Sequence, residues 1–177
     1  MRDETKYSIA ALLLVSAYLV WVRKYRPMKK SYFTIEELCR SDKAQELGLD
    51  NTPTPQAVAN MQALISNVLD PARKQYGNPI YVNNGYRSQA VNSAVGGESD
   101  SQHLSGQAAD ITTGSVAGNR ILFSILVGMG NYDQLIWEGN GAWIHVSYKT
   151  SGNRKSMLAQ TSTGYVSIKN NWQTYIG

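Results

Sequence analysis

The chain of 177 residues contains only two histidines, and both stand where they could hold a metal ion. His103 sits in Ser101-Gln-His-Leu-Ser-Gly-Gln-Ala-Ala-Asp110, a run of mostly small and polar residues that ends in an aspartate. His145 sits in Ala142-Trp-Ile-His-Val-Ser-Tyr148, which reads as a strand. Two imidazoles and a carboxylate suit Zn²⁺ and leave one coordination position for water. Gly106, Ala108 and Ala109 carry little bulk, so backbone can approach closely around such a site. The residues alone equally allow a surface His103, a core His145 bonded to backbone, and an Asp110 that only forms a turn.

A proton acceptor beside His145 follows from strand parity. Asn140-Gly141 is a type I′ hairpin signal between Asp133-Gln-Leu-Ile-Trp-Glu138 and the His145 strand. With that turn, 136 faces 145 and 138 faces 143, so Glu138 shares a face with His145, Trp143 and Ile136. Asp133 then pairs with Tyr148 and points away, and loss of its charge is expected to leave chemistry untouched. A one-residue slip would reverse both assignments.

The elements that must position these residues alternate between helix and strand. Thr34 with Glu37 is a capping box opening a helix through Ile35-Glu-Glu-Leu-Cys-Arg-Ser41. The lone cysteine, Cys39, reads as a small core residue of that helix and excludes an intramolecular disulfide. Apolar positions 57, 61, 64, 65, 68 and 69 mark a long amphipathic helix that Pro71 kinks or divides and Gly77 ends. Residues 79–84 read as a strand, 88–95 as a short helix, 107–113 as a strand, and 115–130 as a helix closed by glycines. Residues 157–176 are expected to add one or two short strands. The sum is an α+β domain, helices packed on a small, mostly antiparallel sheet.

Charge is unevenly spread. Residues 1–30 carry seven Lys/Arg against two acids, whereas the other 147 residues carry ten bases and eleven acids. The globular part, 31–177, therefore lacks a basic footprint for nucleic acid. The first thirty residues hold an apolar run, Tyr7–Val22, bounded by Lys6 and Arg23 and followed by no small-residue cleavage site. It is expected to be an uncleaved N-terminal membrane helix with a basic linker. Five bases follow the run and two precede it, which favours an inward-facing C-terminal domain.

The segment Ser101–Asp110 also resembles the S-x-H-x-x-G-x-A-x-D signature of zinc D-Ala-D-Ala carboxypeptidases and their relatives, which include phage endolysins. Asn83-Asn-Gly-Tyr-Arg-Ser88 upstream and Asp133–Tyr148 downstream are similar to the carboxypeptidase-like branch of that family. The resemblance covers roughly residues 32–150. It implies a hedgehog/DD-peptidase-like fold, zinc on His103, Asp110 and His145, and hydrolysis of an amide bond in the stem peptides of peptidoglycan. It also implies that Arg87 polarises the scissile carbonyl or holds a substrate carboxylate, tasks that suit a planar, permanent cation. The chain departs from the family in one respect. Many relatives place a glutamate three residues, or a histidine two residues, before the last ligand; here those positions are Ala142 and Trp143. Parity offers Glu138 in their stead. The expectation is a monomeric zinc peptidase tied to a membrane and acting on the cell wall. The alternative is a zinc-holding module that binds wall peptide or a protein without turnover.

Overall fold

The computed structural model describes residues 31–176. The expected membrane helix over 7–22 and the basic linker lie outside the described residues. Among the described residues no helix is long and apolar enough to cross a membrane.

Six strands form one sheet in the order β1-β2-β4-β3-β5-β6, comprising β1 Tyr81–Asn84, β2 Ala108–Thr112, β3 Gln134–Glu138, β4 Trp143–Ser147, β5 Ser156–Thr161 and β6 Gly164–Ser167. All pairings are antiparallel except β3 with β5. That exception has a topological cause. β2 occupies one edge of β4 and β3 the other, so the chain leaving β4 must pass a neighbour to find an open edge. It passes β3 alone, and because β4 ends where β3 begins, it then runs parallel to β3. The α+β expectation is met, with a mixed sheet and two late strands.

The two faces of the sheet differ. Ala109, Ile111, Leu135, Trp137, Ile144, Val146, Met157 and Ala159 alternate onto a buried face. Helix Val116–Met129 belongs to the same core through Leu122, Phe123 and Leu126, with Phe123 edge-on to Trp137 at 5.7 Å. Each such buried side chain contributes about 1.5–3 kcal/mol. Ser115 caps that helix by accepting the Gly118 N–H, and Gly130 ends it in the left-handed region. The opposite face carries His145, Asp110, Ile136 and Glu138 and borders a cleft.

Three local expectations need amendment. The first helix is two, Ile35–Cys39 and Asp42–Leu47, because the Ser41 side chain accepts the Ala44 N–H and starts a new helix. The long helix runs Pro55–Leu64, widens into a π-turn at Ile65–Leu69 and resumes as Asp70–Tyr76. Pro71 lacks an N–H and its ring crowds the preceding turn, a conflict that the wider turn relieves. The end of the chain closes as helix Trp172–Ile176 rather than as strand. Cys39 ends the first helix, half-buried, with its thiol 3.8 Å from the Met61 sulfur.

Candidate functional site

The hairpin register places the strand residues as parity requires. Ile136 pairs with His145 and Glu138 with Trp143. Asn140 and Gly141 both have positive φ, and the Ala142 N–H donates to the Gly139 carbonyl, which closes the turn. On the other side of β4, Asp110 pairs directly with His145. Sheet register alone therefore sets these two side by side.

His103 arrives from a turn rather than a strand. Its carbonyl accepts the N–H groups of both Arg87 and Gly106. Gly106 has φ +69°, and a Cβ there would lie 2.6 Å from the Ala57 carbonyl, so the turn packs tightly on helix Pro55–Leu64. The ring is oriented by Nδ1, which lies 2.6 Å from the Gly85 carbonyl. Gly85 is itself held close to the first helix, where a Cβ would fall 2.2 Å from the Leu38 carbonyl.

Three ligand-type atoms converge. His103 Nε2 lies 3.2 Å from His145 Nδ1 and 3.3 Å from Asp110 Oδ1, and His145 Nδ1 lies 2.9 Å from the same oxygen. All three residues are buried. With its Nδ1 proton committed to Gly85, His103 turns a lone pair toward an imidazole nitrogen and a carboxylate oxygen. Such a gathering of electron pairs calls for a cation. Tetrahedral zinc, with bonds of ~2.0–2.1 Å, spaces its ligand atoms ~3.3 Å apart. The three separations lie at or just below that value, so the donor set fits zinc. Burial alone would raise the Asp110 pKa; when the imidazoles are protonated, the charge and hydrogen bond of His103, then those of His145, hold it far below the usual carboxylate range.

A family pattern described as Peptidase M15 matches residues 31–147, and the His-Asp-His cluster falls within it. The chain belongs to the Peptidase M15 family. A zinc D-Ala-D-Ala carboxypeptidase from Streptomyces albus G is 46% identical to this chain over 61 residues. That match covers 33% of this chain and 24% of the relative, so the chain spans about a quarter of the relative's length in it.

Around the cluster, this M15 chain forms a cleft of ≈ 760 Å³ that Arg87, Glu138 and Trp143 also line. Burial lowers the Arg87 pKa, while the charges of Asp110 and Glu138 act in the opposite direction, and an arginine there stays cationic. Among the described residues its Nε is buried without a partner. Glu138 is buried, with one carboxylate oxygen accepting the Trp143 indole N–H at 2.8 Å and the other accepting the Tyr165 hydroxyl at 2.7 Å. The sequence places Trp143 on this face without giving it a role, and gives no sign of Tyr165. Tyr165 reaches Glu138 from β6, and no local spacing encodes that approach.

Asp133 does not line the cleft, as parity requires, yet it is not a bystander. The ladder stops at Leu135–Val146, short of the expected Asp133–Tyr148 pair. Asp133 is fully buried and accepts the Arg154 backbone N–H and guanidinium, with Lys149 Nζ at 3.1 Å. It thereby fixes Arg154, which does line the cleft.

Proposed function

We propose that this chain is a zinc-dependent peptidase that hydrolyses an amide bond in the stem peptides of peptidoglycan. The observation that carries the reading is the convergence of His103 Nε2, Asp110 Oδ1 and His145 Nδ1, three buried ligand-type atoms within 3.3 Å of one another. Held by these three residues, zinc would supply a Lewis acid and an acidified water. Glu138 takes the proton from the attacking water and returns it to the leaving amine. Each of its oxygens has a second lone pair beyond the one given to Trp143 or Tyr165, so it can still accept. Arg87 donates to the carbonyl oxygen as negative charge develops there. The substrate class is supported by family membership and by the activity named for the Streptomyces relative.

The test is the metal content of His103→Ala and His145→Ala beside the parent chain, with mass spectrometry of peptidoglycan digested by each. One zinc per parent chain, its loss from both variants, and amide cleavage by the parent alone support the reading. Full zinc in either variant overturns the ligand set. Zinc without cleavage indicates instead a binding module, the reading that the occupied oxygens of Glu138 would favour.

A further inference from the structure

One cross-strand row crosses most of the sheet beneath the cleft. Asn84 pairs with Asp110, Asp110 with His145, His145 with Ile136, and Ile136 with Leu158. All five residues line the cleft, and β6 extends the lining with Tyr165, the partner of Gln160. The cleft thus lies across the strands, and its two arms are unequal. From β4, which carries His145, the floor continues over three further strands toward β6 but over only two toward β1.

The longer arm has its own chemistry. Its floor presents the apolar side chains of Ile136 and Leu158. Arg154 lines the same cleft, its Nε and Nη2 held by Asp133 and its Nη2 also donating to Gln102. Among the described residues nothing is bonded to Nη1, so that edge of a fixed cation is free for an anion. β5, β6 and Arg154 all lie beyond residue 147, where the family match ends.

We propose that this longer arm is a substrate subsite, and that the substrate is an extended peptide with about four residues on that side of the cut bond. Three strand spacings of ~4.7–4.9 Å give an arm of about 14 Å, which an extended chain at ~3.3–3.6 Å per residue fills with about four residues. Ile136 and Leu158 take a small aliphatic side chain, and Arg154 takes a carboxylate carried by the arm. The proposal rests on the hydrolase reading above and narrows it, because a dipeptide would leave most of the floor uncovered.

The experiment uses the zinc-loaded full chain and synthetic stem-peptide fragments of two to five residues, lengthened one residue at a time from either end. Lengthening from one end is expected to raise kcat/KM by about a hundredfold in total, the scale of filling an apolar pocket. Leu158→Glu is expected to shrink the ratio of longest to shortest substrate at least tenfold. In equilibrium dialysis the metal-free parent is expected to retain the pentapeptide more tightly than D-Ala-D-Ala. Equal cleavage of dipeptide and pentapeptide, or an unchanged length ratio in Leu158→Glu, or equal retention of the two peptides, would each overturn the subsite while leaving the hydrolase reading intact. Failure to cut any fragment would overturn both.

Discussion

Tyr165, on the last strand of the sheet, donates its hydroxyl to Glu138 at 2.7 Å, while the indole of Trp143 holds the other oxygen of the same carboxylate at 2.8 Å. Glu138 is thereby aimed from both sides. If it is the proton acceptor, Glu138→Gln should keep its zinc and lose about 10²–10⁴-fold in kcat. A hydrogen bond to a charged group is worth about 1.5–3 kcal/mol, so Tyr165→Phe should lose about 10–100-fold, in kcat more than in KM. In the Glu138→Gln background, removing the Tyr165 hydroxyl should cost little more. Additive losses across that double-mutant cycle would assign Tyr165 to packing alone.

The same contact should be visible in the tyrosine itself. Burial, then the hydrogen bond and charge of Glu138, push the Tyr165 pKa up to about 12. The ultraviolet difference titration of the parent against Tyr165→Phe should therefore place this phenol about two pH units above an ordinary tyrosine. Glu138→Gln should bring it down. A Tyr165 that ionises near pH 10 would mean that the contact is absent in solution.

Asp133 should matter for stability, a role separate from the expectation that loss of its charge leaves the chemistry untouched. Burial raises its pKa, but the hydrogen bonds of Arg154, then that of Lys149, outweigh this and bring it to about 2, against a model-peptide value of 3.8. A depressed carboxylate pKa stabilises the folded state above the unfolded value, and that stability drains as pH falls from about 4 toward about 2. Asp133→Asn should cost about 1–3 kcal/mol near neutral pH. Melting curves of parent and variant should draw together below pH ~4 and converge only near pH ~2. A gap of the same size at both pH values would show that the ion pairs contribute nothing.

Gly85→Ala probes the support of the metal centre without touching a ligand. A Cβ there meets the Leu38 carbonyl at 2.2 Å, so the segment just after β1 must shift and carry with it the oxygen that orients His103. Loss of an outer partner of a metal-ligating histidine typically costs 10–100-fold in metal affinity. Competition with a chromophoric chelator should show a loss on that scale, and parent-like affinity would mean that His103 orients itself.

The parts of this site that the sequence displays are those set by short-range rules. Asn140-Gly141 fixes the hairpin register, and the register places Glu138 on the His145 face. Alternation along Ala108–Thr112 puts Asp110 on that face as well. His103 is harder to place, since its orientation depends on Gly85 and, behind it, on the packing of Leu38. Tyr165 and Arg154 are not legible at all. Their positions follow from β5 joining β3 in parallel, a matter of sheet topology and not of any pattern within residues 156–167. The division at Ser41 could have been read from its capping side chain, whereas the π-turn before Pro71 needs the packed core around it.

The cross-strand row beneath the cleft draws residues together out of chain order, and this sets a sequence of events during synthesis. By the time Ser147 has left the ribosome, the chain already contains His103, Asp110, His145 and Glu138. Arg154, Leu158 and Tyr165 come later, on the last two strands and the loop before them. A nascent chain thus holds the three candidate metal ligands before the residues of the proposed peptide arm, and Glu138 gains its second anchor only when β6 pairs.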